Sequence, residues 1–229
     1  GRASAEANSF AEHSGWLATG DAFGGYIQLL RYADDPEIRS ALTPSDIRTV
    51  AMRRVLELNT NRFSGLAVLS LDGQVLAATD GTMLDALSGE AFATVRANQG
   101  NANSDIVLPE GGGPGYVEYA TILVDQSGQK WAVLIARGAP DRLWLSTLAA
   151  TIDGGRNVII NQQGQLAAGV PPEDLGRSWS GRDFGGGAIR ATVARRSSRT
   201  SPTAGRSRPT ANRTRSSCGK ACSSTMARN

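Results

Sequence analysis

The run Val158-Ile159-Ile160-Asn161-Gln162-Gln163-Gly164-Gln165-Leu166-Ala167-Ala168 restates Ala67 to Ala77 at one fixed offset, with Gly164 on Gly73, Gln165 on Gln74 and Ala168 on Ala77. A chain that carries the same unit twice must bury it twice, so its fold has to seat two similar hairpins. In the first copy Leu66-Ala67-Val68-Leu69-Ser70-Leu71 is an apolar run, Asp72-Gly73 a turn, and Gln74 to Thr79 the returning strand. That is the pattern of a tight β-hairpin. A different hairpin follows, Tyr116 to Val124 and Lys130 to Arg137, joined by Asp125-Gln126-Ser127-Gly128, where Asp first and Gly fourth suit a type I turn. Between the hairpins Thr82 to Gln99 is expected to be helical, giving the order strand, strand, helix, short strand, strand, strand.

Ahead of this core, Ala5 to Ala33 carries Trp16, Phe23, Ile27 and Leu30 at helical spacing with Gly20 in the same stripe, and predicts a helix weakened by Gly15, Gly20, Gly24 and Gly25. Asp34-Asp35-Pro36-Glu37 breaks it and starts a short turn through Leu42. Thr43-Pro44-Ser45-Asp46 reads as a helix start, with Thr43 as the cap, and the helix should run to about Asn59. Ile47, Val50, Ala51, Val55 and Leu58 are its expected apolar face, with Arg48, Arg53, Arg54 and Glu57 solvated. After the core, Pro140-Asp141 begins another helix, whose Leu145, Leu148, Ala149 and Ile152 make one face before Gly154-Gly155.

The second copy of the repeat does not finish. Past Gly185-Gly186-Gly187 the chain turns to Arg, Ser, Thr, Ala and Pro, which cannot bury enough apolar surface to offset the entropy of ordering. A basic disordered tail and the product of a shifted reading frame both fit this composition, and the second is preferred because the break falls inside a unit that had begun normally. Charge marks the same boundary. Ten of the twenty-four basic residues and none of the twenty-one acidic ones lie in 190–229, so residues 1–189 carry fourteen against twenty-one, a net −7, although the whole chain is +3. The basic isoelectric point therefore belongs to the tail, and no nucleic-acid partner is expected.

The chemistry available is limited. The one histidine, His13, lies near the N-terminus and both cysteines, Cys218 and Cys222, lie in the tail, so the core has no material for a Ser-His-Asp triad or a His/Cys metal cluster. Asp72, Asp80, Asp85 and Glu90 sit where turns, caps or solvated helix faces call for them. Gly111-Gly112-Gly113-Pro114-Gly115 leads into a strand and lacks the Lys-Ser or Lys-Thr of a phosphate loop. No catalytic residue, metal or cofactor is expected. No apolar run approaches the roughly 20 residues of a membrane span, which suits a soluble protein or an excised soluble portion.

The closing hairpin supplies the positive candidates. A type I turn followed by Gly128 in the left-handed conformation pairs Asp125 with Gln129, and then sets Val117 by Arg137, Tyr119 by Ile135, Thr121 by Val133 and Leu123 by Trp131 on one face. Tyr119, Thr121, Trp131 and Arg137 would then line a pocket with apolar walls and one guanidinium suited to an anionic group. The rival reading leaves Tyr119 and Trp131 in the core and Arg137 at a sheet edge.

The helix running into Phe63-Ser64-Gly65-Leu66-Ala67-Val68-Leu69-Ser70-Leu71-Asp72-Gly73-Gln74-Val75-Leu76-Ala77, with the terminal hairpin ending Trp131-Ala132-Val133-Leu134-Ile135-Ala136-Arg137, resembles the Cache sensor domains, the extracytoplasmic PAS-like input modules of bacterial transmembrane receptors. The resemblance covers roughly Ala5 to Asp183. It implies an α/β (α+β) fold: an N-terminal helical region that opens with a long helix (1–62), a membrane-distal PAS-like antiparallel module (63–138), a linking helix (139–156), the start of an incomplete second module (157–187) and the basic tail (188–229). It further implies a ligand-sensing role without enzymatic activity in a histidine kinase, diguanylate cyclase or chemoreceptor, membrane-anchored in the full-length protein, with the N-terminal helix pairing with its twin in a homodimer. Packing of that helix on its own sheet is the alternative, and a dimerisation scaffold without a small-molecule ligand is the rival function. The amino-acid-binding subgroup carries an Arg-x-x-Trp-Tyr element, absent from Thr82 to Glu110, so amino acids are not supported as the ligand.

Overall fold

A computed structural model describes residues 2–59, 62–80, 89–98, 100–110, 114–152, 155–179 and 190–193. Helix α1 spans Arg2–Ala33. Its inward line is Asp21, Gly25, Leu29 and Tyr32, while Phe23, Ile27 and Leu30 remain exposed. The glycines have a use beyond their cost to the helix. A Cβ on Gly25 would stand 2.8 Å from the Tyr119 ring, so only glycine lets the helix lie this close to the sheet.

Helix α2 (Pro36–Arg39) is capped by Asp35, whose carboxylate accepts from the Glu37 and Ile38 amides. Helix α3 (Ser45–Leu58) begins one residue later than expected. Pro44 holds the cap position with no side-chain cap, so Thr43 does not cap it. The inward face also differs from expectation: Arg48, Ala51, Met52 and Val55 are buried, whereas Ile47, Val50 and Leu58 are exposed. Arg48 can point inward because its Nη2 donates to the Ser40 and Thr43 carbonyls, at 2.8 Å each, and its guanidinium lies 4.8 Å from the Trp131 ring centre. Burial without a carboxylate holds the Arg48 pKa below its ordinary value.

Strands β1 (Gly65–Ser70), β2 (Val75–Ala78), β3 (Ala102–Asn103), β4 (Val117–Val124) and β5 (Lys130–Gly138) form an antiparallel sheet in the order β2-β1-β5-β4-β3. One face lies under the three helices, with Leu66, Val68, Val117, Tyr119, Leu123, Ala132, Leu134 and Ala136 in a common core with Leu29, Tyr32 and Met52. The other face presents Ala67, Leu69, Ala120, Val133 and Ile135 to Ala91 and Val95 of helix α4 (Glu90–Asn98). Because both faces are covered, β1 is a continuous apolar run and does not alternate. Helix α4 starts after Gly89, whose φ of 71° is not helical, so the expected helix is not continuous through this residue; residues 81–88 lie outside the described residues.

Pro140 opens helix α5 (Pro140–Leu143) as its first residue, but the helix breaks at Trp144 into α6 (Leu145–Ala149), and Ile152 falls in strand β6 (Thr151–Ile152), where a helix was expected. Strands β7 (Gly155–Ile160) and β8 (Leu166–Ala168) then reproduce the first hairpin. Val68 pairs with Ala77 and Leu69 with Val75; Ile159 pairs with Ala168 and Ile160 with Leu166, so the bulge falls at the same place in both copies. Gly73 and Gly164 are both left-handed, at φ 93° and 76°. Ser70 Oγ accepts from the Gln74 amide at 3.0 Å, and Asn161 Oδ1 accepts from the Gln165 amide at 2.8 Å. Ile159, Ala167 and Ala168 join the core beneath the helix-covered face. Strand β9 (Arg190–Val193) pairs with β7 in parallel. The expected disordered tail is met with a strand at these four residues; the rest of 188–229 lies outside the described residues.

Candidate functional site

The β4–β5 turn forms as expected: the Asp125 amide donates to the Gln129 carbonyl, and Asp125 Oδ1 accepts from the Ser127 and Gln129 amides at 2.8 and 2.9 Å. The strands then slip. Val124 pairs with Lys130 but Leu123 with Ala132, so Trp131 is the extra residue of a bulge. Beyond a bulge every pairing moves by one, and residues expected to share a face are separated. Tyr119 pairs with Ala136, Thr121 with Leu134, and Arg137 with Glu118.

The four sequence candidates are therefore not brought together. Tyr119 is buried on the helix-covered face, edge-on to Tyr26 and Phe63 at centroid distances of 4.9 and 5.6 Å. Burial drives its phenol pKa above the usual range. Thr121, on the same face, donates to Asn101 Oδ1 at 2.7 Å. Trp131 donates from Nε1 to the Arg39 carbonyl at 2.9 Å, beneath Arg48. Arg137 is on the opposite face, the side covered by α4.

There it meets groups that the sequence reading missed. Arg137 Nη2 lies 3.0 Å from Glu118 Oε1; the Arg137 side chain is 12% exposed and that of Glu118 0%. The guanidinium stacks 4.1 Å from the Tyr116 ring centre, and burial raises the Tyr116 phenol pKa. Ser104 is bound to the Glu118 backbone in both directions: its amide donates to the Glu118 carbonyl at 2.8 Å, and its Oγ accepts from the Glu118 amide at 3.0 Å. The next amide, of Asp105, donates to Glu90 Oε2 at 3.0 Å, which ties this end of the sheet to the first residue of α4. A signal existed in the sequence. Glu118 and Arg137 are opposite charges near the open ends of two otherwise apolar strands, and cross-strand pairing of such charges would have selected the observed register.

The cluster sets one guanidinium, carboxylates and an aromatic face beside an apolar wall, groups of the kind that hold a small polar molecule. It has no nucleophile with an adjacent base, and among the described residues no group of His, Cys, Asp and Glu could hold a metal. A groove of about 470 Å³ lies at the other end of the sheet, between the α2–α3 loop and the β4–β5 turn. Its Asp125 is already committed to its own turn, and it lacks the buried charges of the Arg137 end.

No protein-family model and no curated protein matches the sequence. Solved structures do match. The ligand-binding domain of the Pseudomonas aeruginosa PAO1 amino acid chemoreceptor PctB, in complex with L-Gln, aligns with a TM-score of 0.53 at 11% identity over 75% of this chain and 70% of that one. The ligand-binding domain of the Pseudomonas fluorescens chemoreceptor CtaA, in complex with L-serine, gives 0.53 at 14% identity over 75% of each chain. The fold is the one these two domains share, a PAS-like antiparallel sheet behind an N-terminal helix. An extracellular ligand binding receptor from Desulfohalobium retbaense DSM5692 aligns at 0.49 and 13% identity, over 71% of this chain and 32% of that chain, so this chain spans about a third of that structure. Among the described residues no helix is long and apolar enough to cross a membrane.

Proposed function

We propose that this Cache-type chain is the extracytoplasmic, ligand-sensing input domain of a transmembrane receptor of the histidine kinase, diguanylate cyclase or chemoreceptor type, and that its site is the Arg137 end of the α4-covered face. The observation that carries the reading is the Glu118–Arg137 pair, with one partner wholly buried and the other nearly so. An apolar pair of similar volume would serve folding as well or better, because desolvating two charges offsets most of their attraction. A buried ion pair on an otherwise apolar face supports a recognition role.

The ligand is a small molecule carrying a carboxylate or comparable anionic group, which engages the Arg137 fork while Glu118 fixes its orientation. Tyr116 supplies the stacking wall. Residues 1–62 form the N-terminal helical region, 63–138 the sensing module, 139–156 the link, 157–187 the beginning of a second module, and 188–229 a basic tail. Binding shifts the population between two helix arrangements through differential affinity. A homodimer through α1 is supported by its outward stripe, where Phe23 is 62% and Ile27 39% exposed and a Cβ on Gly20 would meet open space.

Native mass spectrometry of the purified chain, followed by thermal-shift titration with mono- and dicarboxylates, amino acids and amines, tests the ligand reading. A carboxylate-bearing compound is expected to raise the melting temperature. If no compound of any class does so and no metabolite co-purifies, the scaffold reading replaces it.

A further inference from the structure

Among the positions buried in both copies of the hairpin, one changes from apolar to polar. Under the offset that pairs Val68 with Ile159, Leu66 corresponds to Asn157. Leu66 is apolar core, whereas Asn157 is just as buried and polar. Its Nδ2 donates to the Thr147 carbonyl at 2.7 Å and to the Ala150 carbonyl at 3.0 Å. Thr147 is itself fully buried and belongs to the first turn of α6, whose flanking residue Trp144 offers no side-chain cap. The cap is supplied by α1. Asp21, 5% exposed, accepts both the Thr147 amide and the Thr147 hydroxyl on Oδ2, at 3.0 Å each. Arg62 donates to the Asp21 carbonyl at 2.7 Å and lies against α1 where Gly24 leaves room. A continuous run of buried hydrogen bonds thus passes from α1 through α6 to β7.

This geometry has mechanical content. A five-residue helix has no stability of its own, so the position of α6 is whatever its partners impose. Apolar contacts slide at little cost, whereas a buried carboxylate separated from its donors bears a large desolvation penalty, so such a junction holds or breaks and does not stretch. We propose that Asp21, Thr147 and Asn157 form a latch that makes the N-terminal helix and the second hairpin move as one body, so that a displacement of α1 is delivered to β7 through α6. The latch lies on the helix-covered side and does not require a ligand at Arg137.

Hydrogen exchange on the full chain tests it. Asp21→Ala is expected to speed amide exchange about ten-fold in α6 and in the β7–β8 hairpin, the usual scale for a lost cap, while β1–β2 and β4–β5 keep their rates. Thermodynamic coupling is reciprocal, so Asn157→Leu, which installs the residue of the first copy, is expected to speed exchange in α1 around Asp21. Should Asp21→Ala fail to fold, Thr147→Val keeps the capped amide, removes the hydroxyl bond, and is expected to loosen the same segments to a smaller degree. Unchanged rates in β7–β8, a rise spread evenly over both sheets, or an Asn157→Leu effect that stops short of α1 would overturn the latch.

Discussion

The two faces of the five-stranded sheet are built for different ends. Under the three N-terminal helices the strands present Tyr119, Leu123, Leu134 and Ala136 to Leu29, Tyr32 and Met52, and the polar groups there, Thr121 and Trp131 Nε1, are already satisfied by Asn101 and the Arg39 carbonyl. Under α4 the central strands are equally apolar, yet the open end holds a buried ion pair stacked on an aromatic ring. On the proposed reading the difference separates holding the fold from recognising a ligand. The charges on the second face then serve recognition, since an apolar pair of similar volume would serve stability as well.

The largest test of that division is Tyr119→Ala on the helix-covered face, which should cost about 3–5 kcal/mol in chemical denaturation, since a fully buried aromatic is deleted among Tyr26, Phe63 and α1. Gly25→Ala is expected to cost about 1–3 kcal/mol by overpacking the same ring, and a cost near zero would mean that α1 stands off the sheet. The two hairpin turns provide an internal control. Gly73→Ala and Gly164→Ala should each cost roughly 1–2 kcal/mol, because both are left-handed and a Cβ is disfavoured there whatever surrounds it. A large inequality would show that the second copy is less firmly folded than its hydrogen bonds indicate.

The smallest effect is one of pH and comes chiefly from the helix-covered face, where the phenol shifts are largest. Burial raises the Tyr26 phenol from near 10 to about 12, and the Tyr119 phenol rises further. Folded pKa values above the unfolded one favour the protonated state of the fold, so this contribution is complete below about pH 10 and is lost as pH climbs toward 12. The urea midpoint should hold steady across neutral pH and fall in that upper window, with Tyr26→Phe flattening part of the fall.

How much of this was legible follows from particular residues. The hairpins, their left-handed glycines and the repeat are local features: Asp-Gly or Gln-Gly after an apolar run, anchored by Ser70 or Asn161, needs no distant partner, and both turns formed as read. The register of β4 on β5 was not legible from the turn alone. Its outcome depended on a bulge at Trp131, where the indole is held by the Arg39 carbonyl and covered by Arg48, groups remote in sequence. The same contact inverted the reading of α3. An arginine counted as solvated was drawn inward by two carbonyls and an aromatic face, leaving Ile47 and Val50 outside. Of the four site candidates Arg137 alone lies on the α4-covered face, because a one-residue slip sends alternate side chains to opposite faces.

The account rests on the Glu118–Arg137 pair serving recognition and not stability, and the double replacement Arg137→Met with Glu118→Leu measures both at once. Arg137→Ala alone is a poor test, because stranding a wholly buried Glu118 should itself cost about 3–5 kcal/mol. The double variant removes both charges at similar volume. It is predicted to denature at the same urea concentration as the parent or a higher one, and to lose the melting-temperature shift that a carboxylate-bearing compound gives the parent. A double variant that is markedly destabilised, or one that still responds to that compound, would contradict the claim.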